Sequence, residues 1–309
     1  MKQIVPYLDP LVVRRLASID IKAKMIVEGF ITGQHKSPNH GFSVEFAEHR
    51  QYNQGDSFKD IDWKVYGKTD RLYLKKYEEE TNLRCQVVLD VSDSMRYPQD
   101  KDKISKLEFG AYLSAALHYL MIKQRDAAGL TLFDSEVSFY APPNSRYSRM
   151  IPVFQKLEEI AKSVEYFTHK TAAAKVLHEA AMKFHRRSFV VIISDLFMQS
   201  ESPNELYAAL QHLRHAKHEV IMFHLLDRKT EQNFDFPNRT IILKDLETGE
   251  KIEVEPFQIK ESYKEKMQEY TRTFKRKCHE LNIDFVEVDT AQGYEKVLSD
   301  YLVKRSRIK

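Results

Sequence analysis

Asp90, Ser92 and Ser94 stand on alternate residues immediately after the apolar run Cys85-Gln86-Val87-Val88-Leu89. Such a run, short and partly β-branched, reads as a buried strand. Side chains just past a buried parallel strand sit at the sheet edge where open α/β folds place their ligands. One carboxylate and two hydroxyls can point the same way in an extended or gently turning segment. Hard oxygen donors of low total charge suit Mg²⁺ or Mn²⁺ better than zinc. A polar turn after a strand uses the same residue types, so the five residues alone leave both readings open.

A second buried-strand run, Phe189-Val190-Val191-Ile192-Ile193, ends in Ser194-Asp195 and delivers another carboxylate to the same edge. Thr171 opens an Ala-rich helical stretch over 172–184. Thr at a helix start is an ordinary cap, yet a helix following a strand begins on that same edge, where the hydroxyl can also face an ion. Asp90, Ser92, Ser94, Thr171 and Asp195 thus form an oxygen-only candidate set from three loops.

This set resembles the metal-ion-dependent adhesion site of von Willebrand factor A-type domains. In that family an Asp-x-Ser-x-Ser motif, a Thr on a second loop and an Asp on a third hold one divalent cation. The resemblance implies those roles for Asp90, Ser92, Ser94, Thr171 and Asp195, with a last coordination position for a carboxylate of a partner protein. His169-Lys170-Thr171-Ala172 lacks the Gly before and the Asp after the Thr that the family often has, so Thr168 competes for the Thr role.

The segment before the strand carries Gly41-Phe42-Ser43-Val44-Glu45-Phe46, Arg50-Gln51-Tyr52, Gly55-Asp56 and Ile61-Asp62-Trp63-Lys64. It closes with Leu72-Tyr73-Leu74-Lys75 and Glu78-Glu79-Glu80. Together these resemble the signature of a bacterial family catalogued as a domain of unknown function. Its members carry a von Willebrand A-like domain and often travel with MoxR-type AAA+ ATPases. The resemblance implies a MoxR-type ATPase as partner. From the residues themselves, Gly55-Asp56 is a turn signal and Leu72 to Lys75 suggest a partly buried strand. Trp63, the only Trp, is expected in the core or an interface. Arg50, Asp56, Asp62 and Glu80 are candidates for an ion-pair network fixing this segment, or for a binding face.

The elements that must position the site follow from pattern. Asp9-Pro10 reads as a helix start, with an apolar stripe running to about Gly29. A helix over 104–123 follows the first strand. Two strands, 128–133 and 137–140, turn at Asp134-Ser135, and a helix over about 146–163 precedes the Thr171 helix. Ser202-Pro203-Asn204-Glu205 is a capping box for a helix to about Ala216. A strand at 220–226, a small hairpin at 240–243 and 251–254, a helix at 261–281, a strand at 285–288 and a helix from Tyr294 complete the chain. Strand and helix alternating from residue 84 onward predict a mostly parallel, Rossmann-type α/β sheet with helices on both faces. With the resemblance this is a von Willebrand A-like domain over 83–309, preceded by a helical and β extension over 1–82.

The chain has 309 residues, 42% hydrophobic and 30% charged, enough for a core under a solvated surface. Its 48 basic and 45 acidic residues give a net charge of only +3, so nucleic acid and anionic membranes are not expected partners. No apolar run approaches the roughly 20 residues that span a bilayer, and the N-terminal residues lack the apolar stretch of a signal peptide. A cytoplasmic protein is expected, with Cys85 and Cys278 free and structural.

Several motifs fail on inspection. Gly67-Lys68-Thr69 ends like a P-loop, but the earlier Gly would fall at Asp62. The nine glycines form no Gly-x-Gly-x-x-Gly. Asp90-Val91-Ser92 begins like an aspartyl-phosphatase motif with Ser92 where the second Asp is needed. His212, His215 and His218 recur near a helix end, where the dipole favours cations, and compete weakly as zinc ligands. The expectation is therefore a metal-dependent protein-binding module rather than an enzyme. The alternative is a Mg²⁺-dependent phosphohydrolase.

Overall fold

A computed structural model describes residues 9–16, 18–34, 49–51, 63–75, 83–100, 102–163, 173–196, 202–246 and 248–307. The strands of the central sheet are β3 (Arg84–Asp90), β4 (Ala127–Phe133), β5 (Val137–Asn144), β6 (Phe189–Ser194), β7 (Glu219–Leu226) and β10 (Asp284–Asp289). Their order is β10-β7-β6-β3-β4-β5. Every pairing is parallel except that of β5 with β4. The chain thus starts in the middle, winds one way and then the other. The crevice where direction reverses lies between β3 and β6, at their C-terminal ends.

Alternation along the strands assigns the two faces. Cys85, Val87 and Leu89 of β3, with Val191 and Ile193 of β6 and Phe223 and Leu225 of β7, pack on one side. That side is covered by α1 (Pro10–Arg14), α2 (Ile19–Gln34), α4 (Lys106–Lys123), α5 (Ile151–Lys162) and α9 (Glu295–Arg307). Val88, Val190, Ile192 and Met222 point the other way, under α6 (Ala173–Lys183), α7 (Pro203–His215) and α8 (Pro256–Glu280). Helix α4 lies between the sheet and α2. It is therefore buried almost all round, from Leu107 to Met121. Gly110 lets α4 sit close to the sheet, because a Cβ there would stand 2.9 Å from Leu89 Cδ1.

The mostly parallel sheet with helices on both faces is the architecture the sequence predicts, and most elements fall within a few residues of expectation. The N-terminal helix is instead two. Asp9 caps α1 by accepting from Leu11 N at 2.8 Å, and α2 starts afresh after Ser18, a residue that favours helix starts. The stripe Ile19, Ala23, Ile26, Val27 and Phe30 of α2 is fully buried. The helix expected from about 146 begins only at Ile151, after a short 3-10 turn Tyr147–Arg149. Pro152 accounts for this, since proline fits only in a helix's first turn.

In the N-terminal region β1 (His49–Gln51) pairs antiparallel with β2 (Tyr73–Lys75). An unpredicted helix, α3 (Trp63–Thr69), lies between them in sequence. Gly67-Lys68-Thr69 closes that helix. Trp63 is 60% exposed, which corrects the expectation of a core residue. It starts α3 and, among the described residues, meets Tyr66 edge-on at 6.0 Å. Asp56, Asp62 and Glu80 lie outside the described residues. The small hairpin forms as β8 (Ile241–Lys244) with β9 (Lys251–Val254). No described helix is long and apolar enough to cross a membrane.

Candidate metal centre

The parallel register pairs Leu89 with Ile193, which brings Asp90 level with Ser194 at the ends of β3 and β6. Ser194 Oγ donates to Asp90 Oδ2 at 2.7 Å. Asp90 Oδ1 accepts from the backbone N–H of Ser92 at 3.0 Å, an Asx-type turn. That turn leads into a 3-10 helix, Asp93–Arg96. The motif is therefore coiled rather than extended, yet its hydroxyls still converge. Ser92 Oγ and Ser94 Oγ lie 3.0 Å apart, and Ser94 Oγ donates to Asp195 Oδ1 at 3.3 Å. Asp93, the residue between the serines, turns away and pairs with Arg96 at 3.0 Å. Arg96 in turn donates to Ser163 O, at the end of α5. Thr168 and Thr171 both lie outside the described residues.

Two residues that sequence reasoning missed complete the cluster. Lys106, the first residue of α4, is 1% exposed. Its ammonium lies 2.7 Å from Asp195 Oδ2 and 2.5 Å from Glu231 Oε1. Glu231 belongs to a single π-helical turn after β7, Arg228–Gln232, capped by Asp227. Its other oxygen accepts from Asp227 N at 2.7 Å. His224 on β7 donates to the carbonyl oxygen of Asp195 at 3.0 Å. Tyr270 adds a hydrogen bond to the carbonyl of Leu196 at 3.2 Å. Leu196 itself has a left-handed backbone, φ 56°, which redirects the chain after Asp195.

The electrostatics follow from burial. Asp90 is pushed up to about 7, first by loss of solvent and then by the Asp195 carboxylate. Burial also raises Glu231, opposed by Lys106. Burial disfavours the Lys106 ammonium, but Asp195 and Glu231 outweigh it and hold its pKa above the ordinary value. His224 is pushed down to about 4 by burial and is neutral. Among the described residues, the carboxyl groups of Asp90, Asp195 and Glu231 thus gather around the one ammonium of Lys106.

The donor set suits a hard divalent cation. Octahedral Mg²⁺ with oxygens at about 2.0–2.1 Å puts neighbouring ligand oxygens about 3 Å apart. The Ser92–Ser94 and Ser94–Asp195 separations, 3.0 and 3.3 Å, are close to that edge length. Asp90, Ser92, Ser94 and Asp195 would hold such an ion, which would supply Lewis acidity and a positive point charge at the crevice. No group of three or more His, Cys, Asp or Glu with metal-ligand geometry occurs among the described residues, so the hydroxyls are essential to the fit. His212 at the end of α7 and His218 beyond it have different partners. His212 meets His178 at 3.1 Å, whereas His218 accepts from Ser188 N. Cys85 and Cys278 are both free and buried.

Comparison with known proteins gives the following. The model of the family described as "Protein of unknown function DUF58" matches residues 48–273, well over half of the chain. An uncharacterised protein of Mycobacterium tuberculosis is 21% identical over 241 residues, covering 78% of this chain and 73% of the relative. An uncharacterised protein of Mycobacterium bovis matches equally. Among solved structures, an aerotolerance-related membrane protein from Bacteroides fragilis is 18% identical with a TM-score of 0.45, covering 72% of this chain and 99% of its own. A von Willebrand factor type A protein from Catenulispora acidiphila is 15% identical with a TM-score of 0.32, covering 59% of this chain and 41% of its own.

Proposed function

The chain belongs to the DUF58 family, and from that premise we propose that it is a protein-binding module whose docking point is a Mg²⁺ or Mn²⁺ ion at the β3–β6 crevice. Asp90, Ser92, Ser94 and Asp195 hold the ion, with Thr171 or Thr168 supplying a further hydroxyl. The partner is a MoxR-type AAA+ ATPase, as the family resemblance implies, and the setting is the cytoplasm. The observation that carries this reading is the convergence of Ser92, Ser94 and Asp195 oxygens at ligand-edge spacing. An oxygen-only shell with two carboxylates leaves room for an acidic side chain of the partner, which adds both a ligand and charge.

A phosphohydrolase is the less favoured reading. Ser92 stands where an aspartyl-phosphate enzyme needs its second Asp. His224 is neutral and spends its Nε2 on a backbone carbonyl.

Thermal melts with and without Mn²⁺ test the site. A ligand bound only to the folded state stabilises it by about 2.7 kcal/mol at a hundred times its Kd. The wild type is expected to gain melting temperature with rising Mn²⁺, and Asp90→Ala to gain little. Equal shifts in the two proteins would overturn the assignment.

A further inference from the structure

A cavity of about 580 Å³ opens between the N-terminal helices α1 and α2, the start of α4, the end of α5 and the segment after the Asp-x-Ser-x-Ser turn. Its volume is in the ordinary range for small-molecule pockets. Five cationic side chains line it, Arg14, Lys22, Arg96, Lys103 and Lys162, against two carboxylates, Asp100 and Glu108.

Four of the five cations have carboxylate partners. Arg14 pairs with Glu108 at 3.1 Å, Arg96 with Asp93 at 3.0 Å, Lys103 with Asp227 at 3.0 Å and Lys162 with Glu158 at 2.7 Å. Lys22 differs. It is only 4% exposed, and among the described residues no carboxylate lies within ion-pair distance of its ammonium. It donates to Tyr112 Oη at 3.2 Å and sits 4.4 Å from the centre of the Tyr112 ring. A phenol and a ring face compensate a buried ammonium only in part. An ammonium carries three donors, and a tyrosine hydroxyl takes one. Leu16, Leu107 and Ile160 add an apolar wall, and the first turn of the long helix α4 adds its positive end.

From this we infer that the cavity is a binding site for a small phosphate-bearing molecule, with Lys22 as its principal charge contact. The phosphoryl group meets the Lys22 ammonium directly, where Glu158 and Glu108 act on it only from beyond ion-pair distance. The organic remainder lies against Leu16, Leu107 and Ile160. Arg14 and Lys103, already fixed by their own pairs, hold the wall in place. Arg96 links this wall to the Asp-x-Ser-x-Ser turn through Asp93, but the inference does not rest on an ion being bound at that turn.

The test uses the full chain with sodium phosphate and adenosine monophosphate as probes, against sodium chloride of equal ionic strength. Isothermal titration and thermal melts are run on wild type, Lys22→Met and Lys162→Gln. The wild type is expected to bind adenosine monophosphate saturably and more tightly than inorganic phosphate. Lys22→Met should weaken binding at least tenfold, and Lys162→Gln, whose side chain is largely exposed and ion-paired, by about threefold or less. Far-UV circular dichroism and an unchanged Mn²⁺ response show that Lys22→Met is folded. No binding of either probe by wild type overturns the inference. So does an affinity in Lys22→Met equal to that of wild type. Phosphate bound as tightly as the nucleotide keeps the anion site and removes the apolar wall from it.

Discussion

Replacing Lys106 by Met probes the buried charge cluster most directly. In the folded protein the ammonium lies 2.7 Å from Asp195 and 2.5 Å from Glu231, and the three side chains are 1%, 1% and 13% exposed. At an effective dielectric of about 20, each pair attracts by roughly 6 kcal/mol. Most of that gross attraction offsets the desolvation of the three groups. What remains measurable is the cost of stranding two buried carboxylates, about 3–5 kcal/mol. Lys106→Met should therefore lose that much stability in urea unfolding in the presence of chelator. Glu231→Gln should cost less, because Lys106 keeps Asp195. Lys106→Met combined with Glu231→Leu should recover part of the loss, since one stranded charge is gone. If Asp195 is a cation ligand, saturating Mn²⁺ replaces part of the missing positive charge and narrows the gap between wild type and Lys106→Met. A loss below about 1 kcal/mol in chelator would refute the reasoning, because a largely buried three-charge cluster does not lose the one cation it has among the described residues so cheaply.

The remaining expectations concern function and packing. Co-purification in Mg²⁺ should recover a MoxR-type ATPase that is lost in chelator and in Asp195→Ala; identical partners under all three conditions would move the docking face elsewhere. The isolated protein should turn over neither ATP nor p-nitrophenyl phosphate with Mg²⁺, and metal-dependent turnover abolished by Ser92→Ala would promote the hydrolase reading. Gly129→Ala should cost about 2–3 kcal/mol in urea unfolding, because a Cβ there would stand 2.3 Å from Gln86 Oε1 and 2.7 Å from Ala141 O; a neutral substitution would show that β4 and β5 are not packed as described.

The central sheet was legible because its inner strands are buried on both faces. Short apolar runs such as 189–193 and 220–226 have few other uses in a chain whose strands and helices alternate. The capping box at Ser202 and Glu205 forms as its spacing predicts, with both hydrogen bonds present. Ser105 and Glu108 form a second one that starts α4 at Lys106. Its spacing was equally visible, but the apolar pattern drew the expected start two residues earlier. Strand β5 runs on through Pro142 and Pro143 to Asn144. Proline marks the end of a strand only where both edges are paired, and β5 is an edge strand. α3 was not legible because it has no apolar stripe and leaves Trp63 and Tyr66 exposed.

At the site, the legible residues are those placed by local chain direction. Asp90, Ser92, Ser94 and Asp195 each follow directly from the end of a parallel strand, so reading the strands places them. Lys106 and Glu231 are placed by packing between elements 89 and 125 residues apart in sequence. A lysine in a helix's first turn and a glutamate in a loop after a strand ordinarily face water, so residue type gives no warning. Their effect is nonetheless specific. Lys106 takes Oδ2 of Asp195 while Ser94 faces Oδ1, so the two oxygens of one carboxylate are committed to different neighbours. Bidentate coordination by Asp195 would have to displace the ammonium. A cation held at the serines would therefore have only one oxygen of Asp195 open to it, and Lys106 would set the affinity of such a site as much as the motif that announces it.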